Sequence, residues 1–335
     1  MRRYSSVSQS TRQGWQKHQV KKSWQSLFSV FITITLVFAI INGLFKSISW
    51  KSKIASSNWD SRSALVLAIN TTNPSVFIYQ PDSRQMSILS IAPDTNYETG
   101  DRKNPIEVIS EQIDADVSFT KVMSHVFGAK IDNYIMLKNE NMMDESYSKK
   151  FFADFASIVT PFELLTAGWG KDIKNTNITR IDAFKLWWQL KALSVERLAI
   201  VDLSGHREEI LTADNQRVLG ADVVSLNREI SKYLQNFGIV NDDSKIRIKN
   251  SSGRADAGKL AYSFVSSLGG KVVEIENSDG FYDKTFILAK NKSSYTASYL
   301  AKVFNCDIKD TLEGDASDGQ IILVLGQDFA KEYFE

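Results

Sequence analysis

Apolar residues follow three different rhythms along this 335-residue chain. The first is an unbroken block: Leu27 to Phe45 contains no charged residue. At about 1.5 Å of rise per residue such a run makes roughly 28 Å of helix, the hydrocarbon thickness of a bilayer. Lys21, Lys22 and Lys46 bound it, and Trp24 and Trp50 stand where interfacial aromatic residues anchor a span. The block predicts one transmembrane helix over 27–45. A cleaved signal peptide fits less well, because the run exceeds the usual apolar region and Lys53-Ile54-Ala55-Ser56-Ser57 is a poor cleavage site.

The second rhythm mixes short apolar runs with helical spacing. Ala64–Ile69, Ser75–Tyr79 and Met86–Ile91 read as buried strands, the last two joined through the Pro81-Asp82-Ser83 turn as an antiparallel hairpin. Phe119, Val122, Met123, Val126 and Phe127 have helical spacing, closed by Gly128. Strands over 131–137 and 198–201 alternate with helices ending before Pro161 and over 181–193. Leu226, Ile230, Leu234 and Phe237 line one face of a last helix. Intermixed strands and helices predict a mixed α/β domain over 64–240, after a Ser-rich linker at 46–63.

The third rhythm is regular. After the polar break Asn241–Lys245, strands at 245–249, 271–276, 285–289 and 320–325 alternate with helices over 255–268 and 293–304. The order is βαββαβ, a compact domain over 245–330.

Charge sharpens this division. The chain holds 40 basic and 39 acidic residues, but the first 59 carry nine of the basic ones and no acid. The remainder has 31 basic against 39 acidic residues, a net of −8. A basic tail over 1–26, with too little apolar content to fold, predicts a cytoplasmic N-terminus and an exported body in the plasma membrane. An acidic body does not suit nucleic acid, and a short tail with no DNA-binding fold does not suit transcriptional control. Cys306 is the single cysteine, so no intramolecular disulfide forms, which fits a bacterial exported protein.

Catalytic signatures are sparse. There is no phosphate-binding glycine loop, no His-Glu-x-x-His and no Gly-x-Ser-x-Gly, and the three histidines (His18, His125, His206) are scattered. Gly314–Gly319 lacks the ligand spacing of a calcium loop and reads as a polar turn. Trp187-Trp188 divides into one core and one boundary ring more readily than it forms a sugar platform. Asn250-Ser251-Ser252-Gly253-Arg254, between a strand and a helix, reads as a helix cap before an anion site.

Two sets of residues carry a resemblance. Asn250-Ser251-Ser252-Gly253, Ala257-Gly258-Lys259-Leu260-Ala261 and Leu325-Gly326-Gln327-Asp328 resemble the C-terminal domain of LytR-type envelope proteins. Met86–Thr95, ending Ser90-Ile91-Ala92-Pro93-Asp94-Thr95, and Val126–Tyr134 are similar to the LytR–CpsA–Psr (LCP) domain that often precedes it. That resemblance implies transfer of a glycan from a polyprenyl diphosphate to peptidoglycan, with acids on a divalent metal (Mg²⁺ or Mn²⁺) and arginines on phosphate. This chain departs where the chemistry lives: Pro93 stands in the place of the family's arginine, and the long arginine-bearing loop shrinks to Thr71-Thr72-Asn73-Pro74. The LCP-like part therefore reads as degenerate. The expectation is a non-catalytic binding or scaffold role in envelope glycopolymer biogenesis, with no cofactor and with a cell-wall glycan or envelope protein as partner. The alternative is a metal-dependent phosphotransferase with Asp94 on the metal and Arg84, Arg102 and Lys103 on phosphate.

Overall fold

The structure is a computed structural model that describes residues 59–99, 106–112, 116–138, 145–157, 159–165, 173–191, 193, 197–212, 215–278, 280–291, 294–310 and 320–334. The apolar run 27–45, the basic tail, Arg102, Lys103 and the turn 314–319 lie outside the described residues. Among the described residues no helix is long and apolar enough to cross a membrane. Residues 57–335 form one compact unit.

The first half is built on a six-stranded sheet. Strands β1 (Leu65–Asn70), β2 (Ser75–Gln80) and β3 (Gln85–Ser90) form an antiparallel meander, with Leu65 opposite Tyr79 and Ser75 opposite Ser90. Next come β4 (Asn96–Glu98), β5 (Ile106–Val108), α1 (Asp116–Phe127) and β6 (Asn133–Leu137), which pairs parallel to β1. Helices α2 (Glu145–Phe155) and α3 (Thr160–Leu165), β7 (Ile173–Thr176) and α4 (Arg180–Leu190) lead to β8 (Leu198–Asp202), which pairs parallel to β3. The sheet order is β7-β6-β1-β2-β3-β8.

The strands are apolar on successive residues because both faces are covered. Ala68, Val76, Ile78 and Leu89 point to one side, under Phe119, Val122 and Val126 of α1. Leu67, Ile69, Phe77, Tyr79 and Ile88 point to the other, under Phe152, Leu186 and Leu190. Pro161 opens α3 rather than only ending α2; in the first turn its missing N–H costs no hydrogen bond.

A second sheet lies outside the expectation. Strands β9 (Arg207–Leu211) and β10 (Arg217–Ala221) form a hairpin that joins β4 and β5 in the order β5-β4-β10-β9. The helix after it also differs. Helix α5 (Val223–Leu234) buries Leu226, Ile230 and Leu234, then breaks at Gln235 (ψ 125), and Asn236 caps a separate α6 (Phe237–Asp242). Phe237 leaves the expected face and is 60% exposed. The polar segment 241–245 is a helix end rather than a spacer: Asp243 takes φ 42, and Asp242 accepts hydrogen bonds from Ser244, Ser294 and the Thr296 backbone.

The second half follows the expected βαββαβ order with two additions. Strand β11 (Lys245–Asn250), α7 (Ala257–Ser267), β12 (Lys271–Asn277), β13 (Phe286–Ala289), α8 (Tyr295–Val303), β14 (Asp307–Lys309), β15 (Gln320–Leu325) and α9 (Gln327–Phe334) give a sheet of order β12-β11-β15-β13-β14. Ile246, Ile248, Phe264, Leu300, Leu323 and Phe329 fill its core.

Candidate functional site

The C-terminal ends of β3 and β8 are adjacent because these strands run parallel. Such ends, where loops leave a sheet, are the usual place for a site in α/β folds. After β3 the chain turns at Ala92-Pro93-Asp94-Thr95, held by Thr95 N–H donating to Ala92 O (3.2 Å) and Ser110 N–H to Pro93 O (3.1 Å). The turn puts the Asp94 carboxylate in solvent, 72% exposed, where Arg207 Nη1 donates to Oδ1 at 3.0 Å.

Arg207 arrives from just beyond β8. Asp202 closes that strand by accepting from Ser204 N–H (2.9 Å) and Oγ–H (2.6 Å), bonds that hold its carboxyl below the usual range, with the Arg207 charge adding to them. His206 Nδ1 sits 2.6 Å from Ser225 Oγ on the first turn of α5, whose N-cap Asp222 accepts from Ser225 N–H at 2.9 Å. The rim thus carries an acid and an imidazole on short loops and a guanidinium at the start of β9.

Sequence reasoning named Asp94 and missed Arg207, which lies 113 positions away. Arg84 does not join them. It occupies the β2–β3 turn at φ 52, at the opposite end of β3, and six residues at about 3.4 Å each separate the two ends by roughly 20 Å. Arg102 and Lys103 lie outside the described residues. Among the described residues no group of three or more His, Cys, Asp or Glu side chains is placed to hold a metal ion. Asp94 meets the Arg207 guanidinium, and Asp202 on the same rim also feels that charge.

A cleft of about 380 Å³ lies between the two halves, lined by Trp59, Asp60, Lys130, Asp132, Tyr299 and Lys302 among others. Its charges are paired, Lys302 with Asp60 at 3.2 Å and Lys130 with Asp132 at 2.7 Å. Burial raises the Asp60 carboxyl, but the Ser63 and Arg62 amides and the Ser63 hydroxyl outweigh it and hold the group well below the usual range. Burial pushes the Tyr299 phenol up to about 12.

The signature residues of the second half are structural. Asn250 Oδ1 accepts from Ser252 N–H (3.2 Å) and Oγ–H (2.6 Å), and its Nδ2 donates to Arg254 O (2.7 Å). Ser251 N–H donates to Leu325 O and Arg254 N–H to Ser252 Oγ. These amides are spent within the loop and on the end of β15, which leaves them unavailable to an anion. The loop is also not the expected cap: the N-cap of α7 is Asp256, with no side-chain capping bond. Leu325-Gly326-Gln327-Asp328 stitches β15 to the loop before β13. Asp328 Oδ1 accepts from Thr285 N–H (2.8 Å) and Oγ–H (2.7 Å), and Gly326 N–H donates to Thr285 Oγ1 (3.0 Å). The tryptophans divide as expected: Trp187 is buried and donates to Ser157 O at 2.8 Å, while Trp188 is exposed.

Residues 243–329 match the family described as the LytR cell envelope-related transcriptional attenuator. A search of curated proteins found no match. Among solved structures, the Lin1025 protein of Listeria innocua is 13% identical, with 51% of this chain and 97% of that chain covered and a TM-score of 0.36. TagV of B. subtilis is 10% identical, with 52% and 98% covered and a TM-score of 0.39. TagT of B. subtilis is 10% identical, with 54% and 93% covered and a TM-score of 0.34. TM-scores this low do not establish a shared fold, so the relationship rests on residues 243–329.

Proposed function

We propose, from the premise that residues 243–329 are a LytR-type C-terminal domain, that this chain is a single-pass plasma-membrane protein with its body outside the cytoplasm. Its role is to bind or hold a cell-wall glycan or an envelope protein during glycopolymer biogenesis, without catalysing transfer itself. The uncharged run 27–45 with its basic N-terminal flank supports the address.

The observation that carries the non-catalytic reading is the state of Asp94. Phosphoryl transfer needs a metal and cations converging where charge develops. Here the one acid matching the family's motif is solvent-exposed and ion-paired to Arg207, and Arg84 stands at the far end of β3. Both faces of the sheet behind it are filled with side chains, which supports a rigid platform over a lipid groove. The second reading, a phosphotransferase, is favoured by one fact: Arg207 returns a guanidinium to the motif that lost its arginine. Incubating the purified full chain with a polyprenyl-diphosphate-linked glycan and Mg²⁺ or Mn²⁺ separates the two. The binding role expects no release of glycan above the protein-free rate. Release that disappears in Asp94→Ala establishes the enzyme instead.

A further inference from the structure

Helix α4 buries Ala183, Leu186, Trp187 and Leu190. Arg180, Phe184 and Trp188, with Lys191 just past the helix end, recur at i, i+4, i+8 and i+11, and at 100° per residue they form one stripe. All four are exposed, Phe184 at 44% and Trp188 at 58%. The two exposed rings pack on either side of the buried Trp187: Phe184 lies 5.4 Å from Trp187, which lies 6.1 Å from Trp188, and Lys191 Nζ sits 3.2 Å from the Trp188 ring centre. Tryptophan and phenylalanine flanked by cations on an outer helix face are the composition of a membrane interface, where the rings sit at headgroup level and the cations meet lipid phosphate.

A separate observation concerns where the chain from the anchor joins the body. The first described residues are fastened to α4 itself: Trp59 N–H donates to Asp182 Oδ1 (3.3 Å), Lys185 Nζ donates to Trp59 O, and Gln189 Nε2 donates to Ser61 O (3.1 Å). Fourteen peptide steps separate Phe45, where the uncharged run ends, from Trp59. Even fully extended they reach only about 50 Å. The chain enters the body at α4, where Trp188 lies three residues from Lys185, about 60° away around the helix.

We infer that the Arg180–Phe184–Trp188–Lys191 stripe of α4 rests on the outer surface of an anionic bilayer and sets the body's orientation there. The inference rests on reading 27–45 as the membrane span. The cysteine-free background Cys306→Ser allows nitroxide labels to be placed singly at Leu36→Cys, Trp188→Cys and Val273→Cys in the full chain, in nanodiscs of phosphatidylglycerol and phosphatidylcholine. Collision with oxygen is compared with collision with a water-soluble nickel chelate. The expected result is an oxygen-to-nickel ratio at 188 several-fold above that at the exposed sheet-edge position 273, falling when Arg180→Gln and Lys191→Gln are added. A label at 36 in lipid with 188 as aqueous as 273 overturns this inference alone. A label at 36 in water overturns the span reading and this inference with it. An aqueous 188 that is immobilised by soluble peptidoglycan fragments overturns it in favour of a glycan platform.

Discussion

The Lys130 ammonium donates to the Tyr333 phenol oxygen at 2.8 Å across 203 residues of sequence. It also donates to Asp132 Oδ1 at 2.7 Å and Glu332 Oε1 at 3.1 Å, so all three of its protons are used. Beside it His125 Nε2–H donates to Tyr333 O at 2.9 Å, and Arg254 Nη2 donates to Phe334 O at 3.0 Å. The His125 and Lys130 bonds tie the last helix of the second half to α1 and the loop after it in the first, and the Arg254 bond fastens the end of that helix within the second half. Lys130 is only 13% exposed, so Lys130→Met leaves two half-exposed acids and a buried phenol without their donor. We expect a loss of about 1–3 kcal/mol in urea unfolding, and about 1 kcal/mol for Tyr333→Phe.

The same contact sets an alkaline limit. Burial lowers the Lys130 pKa, but Asp132 and Glu332 outweigh it and the net shift is upward. The folded chain then holds this proton more tightly than the unfolded chain, so the stabilisation is whole below the unfolded value of about 10.4 and is lost as pH rises through the folded one. Burial also favours the neutral Tyr333 phenol, which pushes in the same direction. Unfolding free energy measured at pH 8, 10 and 11 is expected to fall over the last step, with a shallower fall in Lys130→Met.

The Asp94–Arg207 pair behaves differently. An exposed ion pair of this kind contributes about 0–1 kcal/mol, so Asp94→Ala and Arg207→Ala are expected to melt within a few degrees of the parent. Differential scanning fluorimetry checks this. The result matters for the transfer assay, because lost turnover in either variant would then report chemistry rather than unfolding.

Gly326 and Asp328 are expected to be structural. A Cβ on Gly326 would meet the Lys284 carbonyl carbon at 2.3 Å and its oxygen at 2.7 Å, both backbone. Gly326→Ala should cost about 1–3 kcal/mol or more, the range for overpacking a rigid site. Asp328→Ala removes the acceptor for Thr285 and should cost a similar amount. Urea midpoints of the two variants measure both.

Burial pushes the Cys306 thiol up to about 12, with Asp307 and Asp328 adding to it. The thiolate is the reactive form, so iodoacetamide at pH 8.5 is expected to modify the native chain at least about tenfold more slowly than the urea-unfolded chain. Equal rates would show that the thiol is open to solvent.

The fold was legible where burial was two-sided or strictly periodic. Val76, Phe77, Ile78 and Tyr79 read as a strand because the two core faces each take alternate residues. The β11–β15 half was legible because its apolar positions keep one period per element. The β9–β10 hairpin was not: Arg207, Glu208 and Glu209 sit on an outer edge and follow no apolar pattern. Phe237 kept helical spacing in sequence, but the extended Gln235 ended that helix two residues earlier. Asp94 was singled out by its motif, whereas Arg207 could be placed beside it only once β8 was seen to pair with β3. Arg84 failed for a geometric reason, since residues close in sequence on either side of a strand are far apart in space.

The account depends most on the body lying outside the cytoplasm. Alkaline phosphatase and green fluorescent protein, each fused after Glu335 in a bacterial host, read this directly. Phosphatase activity with a dark fluorescent fusion is the expected result; a bright fluorescent fusion with inactive phosphatase would place the body inside the cell and contradict the account.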